Sequence, residues 1–331
     1  MKPQFLTKNA KIFLVAPSFG CTTSPYKERL DKSIINLENY GFKIIKGENI
    51  YKDKKKAASN TPKKRAKEIM DSFNSDCDAI MSVGGGEIMM EILPFINFKK
   101  IQKQKPKWYI GYSDNTNLTY TLTTICDIET VYAIHATSYY LYPFTYDSKD
   151  TINLLEGKKE FDGYKNWQYQ KTEEIFSSYH FDKETKVIAK NYTKPFEGRL
   201  IGGCLDILNI ICGTKYDNTI NYINKHPEGV IFFLEACDLN SVGIKRVLFQ
   251  LREAMWFKNV KGFIIGRSNN YYDKSFGITP NKAYIDSLKQ LNVPILLDCS
   301  FGHLSPSLPI SCGALAKIEY INNNIKVTYK E

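Results

Sequence analysis

The densest chemistry in this sequence lies in Trp108-Tyr109-Ile110-Gly111-Tyr112-Ser113-Asp114-Asn115-Thr116, an apolar run that ends in a glycine and a serine and leads into the helix-like Leu118 to Thr124. The spacing predicts strand, tight turn and helix. A serine on such a turn projects from the sheet edge as a nucleophile does, and the backbone N–H of the next residue, Asp114, can point at a developing oxyanion. The pattern is G-x-S-x-N rather than the full G-x-S-x-G, so capping the following helix is the competing role for Ser113. A second loop of interest is Gly84-Gly85-Gly86, between the strand-like residues ending at Val83 and the helix-like Ile88 to Leu93. Bare backbone there can approach a ligand closely. Neither a P-loop lysine with Ser/Thr nor a G-x-G-x-x-G spacing is present, so an oxyanion donor from Gly85 fits better than a phosphate cradle. A plain strand-to-helix turn is the alternative.

A serine nucleophile needs a base, and the histidines are His135, His180, His226 and His303. His180 falls in a polar stretch and His226 precedes Pro227, which suggests surface roles for both. His303 follows Asp298-Cys299-Ser300-Phe301-Gly302, just past the apolar Ile295 to Leu297, where a loop imidazole could face a cleft. His135 follows a strand of the first half and reads as a substrate-side residue at most. Glu235 ends the run Val230-Ile231-Phe232-Phe233-Leu234, a costly place for a carboxylate unless it is paired. An imidazole is the natural partner, because a carboxylate on one ring nitrogen fixes the tautomer that lets the other take a proton. The alternative for Glu235 is to stabilise the N-terminus of the helix expected after Ser241.

These residues must be positioned by ordinary globular elements. The chain has 331 residues, 43% hydrophobic and 24% charged, enough for two domains with buried cores. Four buried-strand runs, 12–16, 79–83, 108–110 and 131–134, alternate with helical patterns that start at Ser24-Pro25 and Thr61-Pro62. That order implies a doubly wound parallel sheet with its ligand sites beyond the carboxyl ends of the strands. The expected division is an N-terminal α/β domain over 1–150, an aromatic, lysine-rich linker over 151–194, and a smaller C-terminal α/β domain over 195–331. In the last, strands near 230–234, 262–265 and 295–297 accompany helices near 203–212, 241–257 and 280–291. The formal charge is +10, but the lysines are scattered, with short clusters at Lys52 to Lys56 and Lys63 to Arg65. This reads as a solvated basic surface that favours anionic substrates rather than as a nucleic-acid site. Eight cysteines without a C-x-x-C pair suggest a reducing compartment. No apolar stretch approaches the ~20 residues of a membrane span. The expectation is a cytoplasmic protein.

Taken together the motifs resemble the LD-carboxypeptidase family of serine peptidases, which includes murein tetrapeptide carboxypeptidases and microcin C immunity carboxypeptidases. The resemblance runs in order through Val15-Ala16-Pro17-Ser18, Arg65-Ala66, Gly84-Gly85, Gly111-Tyr112-Ser113-Asp114, Gly198-Arg199-Leu200-Ile201-Gly202-Gly203, Leu234-Glu235, Gly302-His303 and Leu308-Pro309-Ile310. It implies Ser113 as nucleophile, His303 as general base and then acid, Glu235 orienting the imidazole, and backbone N–H groups of Gly85 and Asp114 as the oxyanion hole. It also implies an active site in a cleft between the two domains, a cytoplasmic homodimer, no metal and no cofactor. The expected partner is a small peptide with a free carboxylate, and the expected reaction is cleavage of an L,D-bond in a murein tetrapeptide, within peptidoglycan recycling. Cys204 stands where many relatives carry asparagine, and His135-Ala136-Thr137 lacks a glycine often found after that histidine. Both departures bear on the substrate side. The nearest alternative is an immunity-type amidase acting on a microcin C-like peptide-nucleotide, for which Trp167 in the aromatic linker offers a stacking surface. The alternative of another class is a noncatalytic module that binds an anionic ligand. Arg199 is a carboxylate clamp by charge alone.

Overall fold

The computed structural model describes residues 1–54, 57–169, 176 and 179–330. Lys55 and Lys56 of the first basic cluster, and residues 170–175, 177 and 178 inside the expected linker, lie outside the described residues. The chain divides into two compact units, one comprising 1–158 with 171–179 and the other 159–170 with 180–331.

In the first unit, parallel strands β1 (Lys11–Val15), β2 (Lys43–Lys46), β3 (Ala79–Ser82), β4 (Trp108–Ile110) and β5 (Thr130–Tyr132) stand in the order β5-β4-β3-β1-β2. The chain runs outward from β1 in both directions, so the loops leaving β1 and β3 part at a topological switch point, where open α/β sheets bind ligands. The helices are α1 (Tyr26–Tyr40), α2 (Pro62–Asn74), α3 (Phe98–Gln102), α4 (Thr116–Cys126) and α5 (Tyr146–Leu155). Helix α4 is buried almost throughout although it is rich in threonine. Thr121 and Thr124 donate to the carbonyls of Asn117 and Tyr120 one turn back, which satisfies hydroxyls that water cannot reach. Two expected helix starts differ in detail. Thr61 flanks α2 without a side-chain cap, and Pro25 rather than Ser24 stands at the start of α1.

The segment expected as a linker carries structure: β6 (Glu160–Asp162), β7 (Asn166–Trp167), β8 (Lys183–Glu184) and β9 (Ile188–Lys190) all belong to the second unit. These strands are too short for a periodic signal in sequence. The rest of that unit is β10 (Phe196–Cys204), α6 (Leu205–Ile211), α7 (Thr219–Lys225), β11 (Val230–Glu235), α8 (Ser241–Glu253), β12 (Val260–Arg267), α9 (Pro280–Leu288), β13 (Ile295–Gly302), β14 (Ile310–Cys312), β15 (Leu315–Ile321) and β16 (Asn324–Tyr329). Its sheet has the order β6-β16-β15-β10-β11-β12-β13-β9, with β10 to β13 parallel and the flanking strands antiparallel. β11 is buried at every position, as its unbroken apolar run requires in a sheet covered on both faces. β16 instead alternates buried and half-buried residues, as a one-sided antiparallel strand does. Asn240 caps α8 through the Gly243 N–H, and Thr279 caps α9 through the Lys282 N–H.

Candidate active site

The turn that carries Ser113 is built where β4 stops. Ser113 has φ +60°, a left-handed conformation that costs a side-chain-bearing residue about 1–2 kcal/mol and persists only where the surroundings impose it. A short 3-10 helix over Ser113–Asn115 follows and leads into α4, and neither element has a side-chain cap. Ser113 thus stands inside the turn, between the flanking positions Tyr112 and Asn115 of the two elements. The Ser113 N–H faces the Tyr132 hydroxyl at 3.3 Å.

Gly85 lies on the adjacent turn after β3. A Cβ placed on it would stand 3.5 Å from Ser113 Oγ and 3.3 Å from His135 Cε1, so the backbone of Gly85 flanks the serine directly. His135 is buried, its ring 4.4 Å from that of Tyr112, and its Nε2 is 3.1 Å from both Asn115 Nδ2 and the Tyr112 carbonyl. It belongs to the wall of the Ser113 turn. Asn115 completes that wall by donating to the Gly84 and Tyr112 carbonyls and accepting from the Tyr109 hydroxyl.

Two polar side chains that sequence reasoning passed over hold these turns. The buried Arg65 guanidinium donates to the Asn60, Pro17 and Ile88 carbonyls and pairs with Glu91 at 2.6 Å, tying the loop after β1 to the one after β3. Ser18 donates to the Asp114 carboxylate. Both lie in stretches that carried the family resemblance, but a lone arginine in an amphipathic helix and a serine after proline give no chemical signal of their own.

In the second unit, β11 ends in Glu235, fully buried, and Glu235 Oε2 lies 2.8 Å from His303 Nδ1. His303, 9% exposed, follows directly on β13. Burial disfavours the imidazolium, but the Glu235 carboxylate and the neighbouring Cys237 thiol overcome it, and the His303 pKa is raised above its ordinary value. Gly302 has φ +105°, and a Cβ there would stand 3.1 Å from Glu235 Oε2, so only glycine lets the histidine loop close on the carboxylate. The turn after β11 is held by Asp206, whose carboxylate accepts the N–H groups of Cys237, Asp238 and Leu239. Nothing in sequence marked Asp206, because its role depends on β10 and β11 being neighbours.

The remaining expected site residues fall elsewhere. Arg199 sits near the start of β10, five residues or roughly 16 Å of extended strand from Cys204, and its guanidinium pairs with Glu228 and donates to the Gly313 carbonyl. Its charge is consumed in holding the sheet. Trp167 is not an exposed stacking surface. It is buried edge-on against Tyr271, with the Arg267 guanidinium 4.8 Å from its ring centroid. His226 is buried against Tyr222, contrary to the surface role expected of it, whereas His180 is exposed. Among the described residues no cluster of three or more His, Cys, Asp or Glu could hold a metal ion, and no helix is long and apolar enough to cross a membrane.

The chain belongs to the LD-carboxypeptidase family, whose N-terminal domain matches residues 12–133 and whose C-terminal domain matches residues 197–318. It is thereby a hydrolase of the serine-peptidase type. Among particular proteins, it is 28% identical over 322 residues to the microcin C7 self-immunity protein MccF of Escherichia coli, a match covering 91% of this chain and 88% of the relative. The fold agrees with that of MccF solved in complex with aspartyl sulfamoyl adenosine, at TM-score 0.85 and 23% identity over 100% of this chain and 99% of the other. It agrees also with a muramoyltetrapeptide carboxypeptidase from Oxalobacter formigenes, at TM-score 0.75 and 19% identity over 97% and 99% of the two chains.

Proposed function

We propose that the protein is a serine carboxypeptidase that cleaves an amide bond near a free C-terminus, most readily the L,D-bond of a murein tetrapeptide, through Ser113, His303 and Glu235. The observation that carries this reading is the buried Glu235–His303 pair at 2.8 Å, since a carboxylate on Nδ1 fixes the tautomer that lets Nε2 take a proton. Ser113 Oγ attacks the carbonyl carbon while its proton passes to His303. Backbone N–H groups of Gly85 and Asp114 receive the oxyanion. The tetrahedral intermediate collapses with release of the C-terminal residue, whose amine takes the proton from His303. Water then attacks the acyl-enzyme with His303 again as base. No metal or cofactor enters these steps. The protein would work in the cytoplasm as a homodimer, in peptidoglycan recycling.

A second reading changes only the substrate. Similarity to the microcin C7 self-immunity protein favours an amidase acting on a peptide-nucleotide or aminoacyl-nucleotide. Release of D-alanine from an L-Ala-D-Glu-diamino acid-D-Ala tetrapeptide by the wild-type protein, but not by Ser113→Ala or His303→Ala, would establish the first reading. Inert tetrapeptide together with hydrolysis of an aminoacyl sulfamoyl adenosine would establish the second. If a fluorophosphonate fails to label wild-type Ser113, both readings fall and a noncatalytic ligand-binding role takes their place.

A further inference from the structure

The Asp114 side chain has no part in the steps above, which use only its backbone N–H. Its surroundings are unusual for a residue next to a nucleophile. The carboxyl is 1% exposed and is approached by donors from three separate segments. Oδ2 accepts from the Ser18 hydroxyl on the loop after β1 and from the Met89 N–H, at 3.0 Å, just past the glycine turn. Oδ1 accepts from Asn117 Nδ2 at 3.0 Å in the first turn of α4. Three donors around one buried carboxyl tie it to three segments at once, and each bonds more strongly to the ionised than to the protonated group. Ser18 in turn abuts the glycine turn, since a Cβ on Gly86 would collide with Ser18 Oγ.

We propose that the Asp114 carboxylate is a positioning residue that clamps the glycine turn against the nucleophile turn, so that the Gly85 and Asp114 N–H groups converge on one point. The inference rests on the reading of Ser113 as nucleophile. Its logic is geometric. Met89 is four residues from Gly85 and Asp114 one residue from Ser113, so a bond between them fixes the spacing of two oxyanion donors that belong to different loops. Asn115 supplies a second tie to Gly84 but does not reach the far side of the glycine turn.

The clamp also has a pH dependence. Burial and the Glu87 carboxylate push the Asp114 pKa up, while the bonds from Ser18 and Met89 and the Arg65 guanidinium pull it down, leaving it at about 6. Tyr109 also feels the Asp114 charge, but stays protonated through the range that matters. Below about pH 6 the clamp loses its charge.

The test is the second-order rate of Ser113 labelling by a fluorophosphonate as a function of pH, in wild type, Asp114→Asn and Ser18→Ala. In wild type, labelling should fall in first order with acidity as His303 protonates, and in second order below about pH 6. Asp114→Asn keeps the backbone N–H and should label at least tenfold more slowly near neutrality, with only the first-order limb remaining. Ser18→Ala removes one bond to the carboxylate and should move the second break to higher pH, a shift that loss of packing alone would not cause. It also covers the case in which Asp114→Asn fails to fold. Wild-type rates and unchanged limbs in both variants would overturn the clamp while leaving Ser113 as nucleophile. An unlabelled wild type would instead overturn the reading on which the clamp rests.

Discussion

Ser113 illustrates a residue whose conformation opposes stability. Serine in the left-handed region costs about 1–2 kcal/mol, whereas glycine there costs nothing but gives up about 0.4–1 kcal/mol through the freer unfolded chain. Ser113→Gly should therefore raise stability by up to about 1 kcal/mol while abolishing labelling, which calorimetry and a fluorophosphonate assay would read together. A lower melting temperature would mean that the turn holds no strain. His303 supplies the second residue-scale prediction. Its pKa is raised in the folded protein because Glu235 outweighs burial, so the pair contributes stability that is fully present below about pH 6.5, the ordinary histidine value, and is lost as pH rises through the folded value. A general base works deprotonated, so activity should climb on the alkaline side of neutrality. Glu235→Gln removes the charge and leaves burial and the Cys237 thiol, so the histidine midpoint, followed by NMR of labelled imidazole, should fall from its raised value. The alkaline loss of stability should shrink with it. A midpoint that stays high in the variant would show that another group holds the proton.

At the scale of elements, the site depends on turns at the carboxyl ends of parallel strands, each fixed by a side chain from a neighbouring strand or helix. Arg65 on α2 does this for the loops after β1 and β3, and Asp206 on α6 does it for the turn after β11. Asp206→Ala leaves three backbone donors without their acceptor in a partly buried place, at a cost of about 1–3 kcal/mol. It should also slow labelling of Ser113, because the same turn carries Cys237 against His303. Calorimetry and labelling kinetics would read both effects. A variant unchanged in both would assign the turn's geometry to the strands alone. These supports explain how far the sequence was readable. The places of Ser113, Gly85, Glu235 and His303 at strand ends and turns could be read because each sits at the end of a strong apolar run or beside glycine. Arg65, Ser18 and Asp206 act across strands that are adjacent only after folding, so spacing along the chain holds no trace of their contacts. The short strands between 160 and 190 escaped for a related reason: two or three residues cannot show alternation, and pairing partners such as β13 and β16 lie over a hundred residues away.

Over the whole molecule, the two-unit α/β architecture followed from the order of strands and helices, whereas Arg199 and Trp167 show where residue type alone misleads. Arg199 was singled out by charge and is spent on Glu228; Trp167 was singled out as an aromatic in a polar segment and is buried under Arg267. Such residues can be assigned only by their neighbours. Net charge is different, because it acts through the field of the entire chain and needs no particular contact. A protein of net charge +10 should attract a substrate bearing a free carboxylate or a phosphate from beyond contact distance. The attraction is screened over about 10 Å at 0.1 M salt and about 3 Å at 1 M. If encounter with an anionic substrate draws on this field, kcat/KM should fall several-fold between low salt and about 0.5 M salt, while kcat, which begins from bound substrate, stays constant. An uncharged substrate analogue with the same scissile bond should show neither change. Stopped-flow or steady-state rates across a salt series would decide. A flat kcat/KM would mean that the lysines serve solubility alone, and a falling kcat would place the salt-sensitive charges in the chemical step, beside His303 and Glu235 rather than on the surface.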